Sequence, residues 1–224
     1  MCQRAADTLA AGPFAGSGAE PPAPEREDAM DEIVQRAIAK WPNVPAVFGW
    51  LSLDGRGNWA IKGERVHNKV ITDFIGRNYG CDSDGRWFFQ NGPQKVFVSL
   101  EYTPWVLRTE GPDSARLITH TGTSVSTPEA AWLDDGGQLL IEFKGQIGVV
   151  HDHDLAALVP YIHDEQGRPG EDPTVLAIAA TKPGHAWLQL ANGSVQLGNI
   201  SRQELPARFR YNPDPQPAPG EPEC

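Results

Sequence analysis

The chain is poor in sulfur, with three cysteines and two methionines among 224 residues. Cys2 and Cys224 stand at the two ends, so the sequence offers no disulfide framework of the kind that staples small secreted domains. Long apolar runs are missing as well. No stretch approaches the roughly 20 apolar residues that a membrane-crossing helix needs. No basic segment near the start leads into an apolar one, which argues against a secretory leader. Positive charge is the third shortage: 19 Lys and Arg stand against 29 Asp and Glu, a formal charge of −10. Such a chain is a poor electrostatic partner for phosphate backbones or anionic bilayers. Nucleic acid and membrane are therefore excluded as expected partners, and a cytoplasmic location is expected.

What is present is unevenly spread. Residues 1–29 carry two basic and five acidic groups, and residues 212–224 carry three acids and no base, which leaves −4 for the remainder. These end segments hold nine of the twenty prolines, while all seven tryptophans lie between them. Gly, Pro and charge cannot bury enough surface to offset backbone ordering, so both ends are expected as solvated, disordered tails. Between them the expected organisation is a helix plus a first β-rich module over 30–118 and a second β-rich module over 119–211.

Met30, Ile33, Val34, Ala37, Ile38 and Trp41 follow three-and-four spacing and predict a first helix, stopped by Pro42 and Pro45. A second helix is expected over Asn68–Tyr79. Most of the rest reads as strand and turn. Strands Phe48–Leu53 and Asn58–Lys62 flank Asp54-Gly55, and strands Trp87–Phe89 and Lys95–Tyr102 flank Asn91-Gly92, each a hairpin signal. Further short strands are expected around Leu107 and over Arg116–His120, Leu139–Phe143, Val175–Thr181, Trp187–Leu190 and Val195–Ile200. A short helical face runs from Leu155 to Ile162, interrupted by Pro160.

The segments Trp50–Gly63 (WLSLDGRGNWAIKG) and Trp132–Gly145 (WLDDGGQLLIEFKG) align without a gap and agree at Trp, Leu, the turn Gly, Lys and the closing Gly. Each is followed by a His-bearing loop, an amphipathic helix and a turn ending Gly-Arg (Gly85-Arg86 and Gly167-Arg168). The second copy carries an additional segment after Arg168. This pattern predicts an α+β, predominantly antiparallel fold of two pseudo-repeated hairpin–helix–hairpin modules behind an N-terminal helix. A single unit has too little area to close a core, so the two are expected to pack together and leave a ligand groove at their junction.

Candidate chemistry is sparse. The run His151-Asp152-His153-Asp154, with His163 and Asp164 downstream, offers nitrogen and oxygen ligands of the kind zinc or iron takes. The glutamate that would complete a cupin-type motif is replaced by Ala157 and Leu158. The Asp-His that a metallo-β-lactamase pattern needs is replaced by Leu155 and Ala156. The favoured reading is a polar loop in which Asp152 or Asp154 caps the following helix. Cys81 precedes Asp82-Ser83-Asp84, whose charge would raise a thiol pKa and oppose nucleophilic use. Neither a nucleophile elbow nor a phosphate-binding glycine loop is present. The densest polar–aromatic stretch contributes Trp87, Phe89, Gln90, Asn91 and Gln94, continued by Tyr102 and Trp105. Rings beside Arg and amides have the composition of a contact surface, and a central strand covered on both faces is the competing reading.

The stretch IGRNYGCDSDGRWFFQNGPQKVFVSLEYTPWVLR, with the earlier FGWLSLDGRGNWAIKGE, resembles a proteobacterial family of uncharacterised proteins, a domain of unknown function. The resemblance covers about Met30–Tyr211 and implies a small bacterial cytosolic protein. It carries no activity, cofactor or catalytic residue.

The resulting expectation is a non-catalytic module that binds a small molecule or a protein through Trp87, Phe89, Gln90, Asn91, Gln94, Tyr102 and Trp105, with no cofactor. The alternatives are a metal-dependent hydrolase or oxygenase using His151, His153 and His163, and a structural subunit of a homodimer.

Overall fold

Apolar spacing and capping place the first helices close to their expected positions. In the computed structural model, which describes residues 30–41, 44–111 and 114–220, helix α1 (Glu32–Lys40) buries Val34. Helix α2 (Lys69–Arg77) begins where the Asn68 side chain accepts the Val70 N–H, and it buries Ile75. The expected tail over 1–29, Pro42, Cys2 and Cys224 lie outside the described residues.

Strands β1 (Val47–Leu53), β2 (Trp59–Ile61), β3 (Glu64–Arg65), β4 (Tyr79–Cys81), β5 (Trp87–Asn91) and β6 (Gln94–Leu100) form one sheet, in the order β3-β2-β1-β6-β5-β4. The second sheet is built from β7 (Trp105–Thr109), β8 (Leu117–Thr119), β9 (Ala130–Asp134), β10 (Leu139–Phe143) and β11 (Gln146–Val150), together with β12 (Ile162–Asp164), β13 (Ala186–Leu190) and β14 (Gly193–Ile200). Its order is β12-β13-β14-β9-β10-β11-β7-β8. Three short helices complete the described chain: α3 (Leu155–Leu158), α4 (Pro173–Thr181) and α5 (Leu205–Arg208). The fold is mixed α+β and strand-rich. Its hairpins pair antiparallel, but β1 runs parallel to β6, β9 to β14 and β7 to β11. Parallel neighbours need a crossover connection: α2 lies in the one between β1 and β6, α3 and α4 lie in the one between β9 and β14, and strands β8, β9 and β10 make up the one between β7 and β11.

One turn recurs four times. Asp54, Asp82, Asp134 and Asp164 each end a strand, and each carboxylate accepts the N–H groups two and four residues further on. The third residue after each aspartate is a glycine, with φ between 74° and 80°. That left-handed conformation costs a side-chain-bearing residue energy that glycine does not pay. Lys62-Gly63 and Lys144-Gly145 close the β2–β3 and β10–β11 hairpins with both residues left-handed.

The main core is shared by both sheets, from Leu51, Val98 and Leu100 to Ile141, Leu188 and Leu197. A smaller cluster of Ala46, Phe88 and Phe97 covers the other face of β5 and β6, with Phe48 stacked 4.5 Å from Phe97. Tyr102, at the end of the first sheet's last strand, donates its buried hydroxyl to Asp134 in the β9–β10 turn, which ties the two halves together.

Two expectations are corrected. Val175–Thr181, expected as a strand, lies in helix α4, whose N-cap Asp172 accepts the Thr174 N–H and whose first residue is Pro173. The run Val-Leu-Ala-Ile-Ala-Ala is apolar throughout, so its periodicity does not separate helix from strand. Residues 212–215, expected within a solvated tail, dock on the first sheet. The Asn212 N–H donates to the Gly85 carbonyl, the Leu100 N–H donates to the Pro213 carbonyl, and Pro215 is buried.

Gly85 is confined twice. Its φ is +74°, and a Cβ there would lie 2.2 Å from the Arg210 carbonyl oxygen. Gly85→Ala is expected to cost about 2 kcal/mol or more, lowering the melting temperature and releasing the Asn212 amide to fast hydrogen exchange. Unaltered protection at Asn212 would refute this account. Tyr102→Phe removes a hydrogen bond to a carboxylate and is expected to cost about 1.5–3 kcal/mol in denaturant unfolding.

Candidate functional site

The junction of the two sheets is lined by α2 and β4 on one side and by β7, β8 and the β10–β11 turn on the other. Two adjoining cavities occupy it. The smaller, of about 400 Å³, is lined by Tyr79, Trp87, Trp105, Phe143 and the hydroxyls of Thr119, Thr121 and Thr123. Tyr79 sits at the centre of its aromatic floor, 4.8 Å from Trp87 and 5.4 Å from Trp105 between ring centres. These rings are held by their polar ends: Tyr79 donates to the Pro104 carbonyl at 3.1 Å, and Trp105 Nε1 donates to Gln146 Oε1 at 2.6 Å. Burial raises the Tyr79 hydroxyl well above the usual tyrosine range.

The larger cavity, of about 910 Å³, shares Arg77, Thr119, Thr121 and Gly122 with the smaller, so the two adjoin along a common wall. Its lining is basic: Arg56 in the β1–β2 turn, Arg65 on β3, Lys69 and Arg77 at opposite ends of α2, and Arg108 on β7. Arg56 pairs with Asp152, Arg108 with Asp154, and Arg77 with Asp31.

His120 also lines this cavity, within 5.3–5.7 Å of the Trp59, Tyr79 and Trp105 rings. Its Nδ1 accepts the Val106 N–H at 3.3 Å, so the neutral ring carries its hydrogen on Nε2. That nitrogen is buried without a hydrogen-bond partner among the described residues. Burial pushes the His120 pKa down to about 3, against the opposing pull of Asp54. Gly57, the glycine of the first aspartate turn, lies against this ring: a Cβ there would be 2.8 Å from His120 Cβ.

The residues singled out from sequence separate into groups. Trp87 and Trp105 meet in the smaller cavity, and both are buried rather than displayed, as are Phe89, Gln90 and Tyr102. The main core covers one face of β5, while Phe97 and Lys95 cover Phe88 on the other. Phe89 packs edge-on against Phe74, and Tyr102 serves the Asp134 link. The amides of Gln90 and Gln94 donate to the Gly92 and Pro45 carbonyls, and Asn91 is exposed at the β5–β6 turn. His151, Asp152 and His153 offer ligand atoms within 4.8 Å of one another, whereas His163 lies on β12 opposite Trp187 and is not part of this group. The His153 N–H is accepted by both His151 Nδ1 and Asp152 Oδ1, while Asp154 receives Arg108 and the Thr109 N–H. Asp164 is a turn aspartate held by Arg168. Burial, with Asp82 beside it, pushes the Cys81 thiol up to about 11, so it stays protonated.

Sequence reading missed the convergence of Arg56, Arg65, Arg77 and Arg108, and it missed His120. The cations are too far apart in the chain for a charge-run search to join them.

Fold and junction together define a two-sheet, mixed α+β protein with a ligand-sized groove between its halves. The chain belongs to the DUF2944 family, described as a protein of unknown function (DUF2946), whose profile matches residues 30–216. No curated protein matches it. Among solved structures, a DUF1285 family protein from Silicibacter pomeroyi DSS-3 is similar with a TM-score of 0.47 and 12% identity, over 69% of this chain and 82% of its own. A DUF1285 family protein from Shewanella baltica OS155 is similar with a TM-score of 0.37 and 20% identity, over 51% of this chain and 90% of its own. The expectation of a domain of unknown function thus holds.

The state of His120 has a measurable consequence. The unfolded chain takes this proton near pH 6.5 and the folded chain only near 3, so stability is full above about pH 6.5 and falls as pH drops toward 3. The slope from this one group approaches, at most, about 1.4 kcal/mol per pH unit. In His120→Gln, whose amide oxygen can accept the Val106 N–H, denaturant unfolding across pH 4–6 is expected to lose this component. An unchanged slope would mean that His120 is charged in the fold.

Proposed function

We propose that this protein is a cytoplasmic, non-catalytic binding module whose ligand is a small molecule seated in the groove between the sheets. The observation that carries the reading is that the 910 and 400 Å³ cavities adjoin at Arg77, Thr119, Thr121 and Gly122 in the junction of the two sheets. A concave space of this size, with an aromatic floor, a few hydroxyls and charged groups at one end, has the composition of a small-molecule site. The protonated Cys81 at its rim is a poor nucleophile, which favours binding over covalent chemistry.

The groove also fits a duplicated module. The order β3-β2-β1-β6-β5-β4 in the first sheet is matched in the second by β11-β10-β9-β14-β13-β12. Both centre on a parallel pair, both contain two aspartate turns, and both close one hairpin with Lys-Gly. In this reading helix α4 is the additional segment of the second copy, and β7 and β8 extend the second sheet beyond its repeated part.

The test is native mass spectrometry of the full chain for a co-purifying small molecule, followed by a compound screen on tryptophan emission. The expected result is a compound that changes the emission and whose affinity falls about tenfold or more in Thr121→Trp, which fills the shared wall, without a change in melting temperature. A chain that carries no compound and whose emission answers to none in a chemically diverse library would overturn the proposal.

A further inference from the structure

We infer that the wider cavity is a binding site for the phosphoryl groups of a small organic phosphate, an assignment that rests on the groove reading above and names the class of its ligand. The first observation is a local inversion of charge. The chain carries ten more acidic than basic groups, yet the wall of this cavity holds Arg56, Arg65, Lys69, Arg77 and Arg108 against a single carboxylate, Asp73. These cations come from the β1–β2 turn, β3, both ends of α2 and β7, so both sheets supply them and only the assembled junction brings them together.

The second observation is how they are held. Asp152, Asp154 and Asp31 each engage one side of a guanidinium, and Asp73 engages Lys69. A guanidinium has five N–H donors, and each of these pairs uses only part of them, so the carboxylates orient the arginines without exhausting their capacity. Arg65 donates to Asn58 Oδ1 and pairs with no carboxylate among the described residues. The third observation is the unpartnered Nε2–H of His120 in the same wall, a buried donor that lacks an acceptor oxygen.

Arginine forks approaching from several elements cannot all serve the two coplanar oxygens of one carboxylate. A phosphoryl group presents three oxygens around a tetrahedral centre and accepts donors from several directions. The adjoining aromatic cavity at Trp87, Trp105 and Tyr79 offers a place for the organic part of the same molecule.

The test is titration calorimetry of the full chain with pyrophosphate as the probe, at constant ionic strength. Binding is expected in the wild type, about tenfold or more weaker in Arg65→Gln, intermediate in Arg65→Lys, which keeps the charge but loses the fork, and unchanged in Arg36→Gln, which removes the same charge from exposed α1. Equal loss in Arg65→Gln and Arg36→Gln would reduce the effect to overall charge and overturn the assignment. So would the absence of binding heat at millimolar pyrophosphate. If a neutral compound then still changes tryptophan emission in a Thr121-dependent way, the groove stands and only its phosphate class falls. If neither probe binds, both fall.

Discussion

The aspartate-capped turn is the constraint on which the architecture rests. In four places a carboxylate at the end of a strand takes two backbone N–H groups, and a glycine three residues on supplies the left-handed step. At Asp54, Asp82 and Asp134 such a turn sets the register of the hairpin it closes, and a slip of one residue would send every core side chain of the strand to solvent. The turn at Asp54 does more than join two strands. Its glycine is in contact with His120, its arginine lines the groove, and its aspartate opposes the fall in the His120 pKa. Fold and candidate site therefore share a structural element.

The two halves are held by exchange as well as by packing. After the first sheet is complete, the chain crosses at residues 101–104 and gives β7 to the second sheet, beside β11. After the second is complete, residues 212 and 213 return to the first sheet at Gly85 and Leu100. The Tyr102–Asp134 hydrogen bond lies at this crossing. A groove walled by both halves is rigid only if the halves cannot slide past one another, and these reciprocal connections supply that restraint.

The charge arrangement shows why a total can mislead. A formal charge of −10 argues correctly against long polyanions, whose affinity comes from many dispersed contacts. It does not bear on a pocket in which five cations meet within one cavity, because fields inside a cleft are set by nearest groups and the distant acids are screened. The exposed ion pairs at its rim contribute little to stability, and their clearer role is to hold flexible side chains in one orientation.

Much of the local structure was legible. The apolar spacing of α1, the position of α2, and the hairpins at Asp54 and Asn91 follow from short-range sterics that each segment carries in its own residues. Helix α4 was not, because an all-apolar run has no period and the deciding cap at Asp172 is a single residue. The burial of Trp87 and Phe89 and the docking of residues 212–215 were not either, since each depends on what covers a face or an edge from far along the chain. By itself the sequence determined where strands turn, which faces are apolar and that the chain is acidic, all properties of neighbours in the chain. Only the tertiary structure decided that Arg56, Arg65, Arg77, Arg108 and His120 share one cavity, because their convergence requires strand pairing across both sheets, which no local propensity encodes.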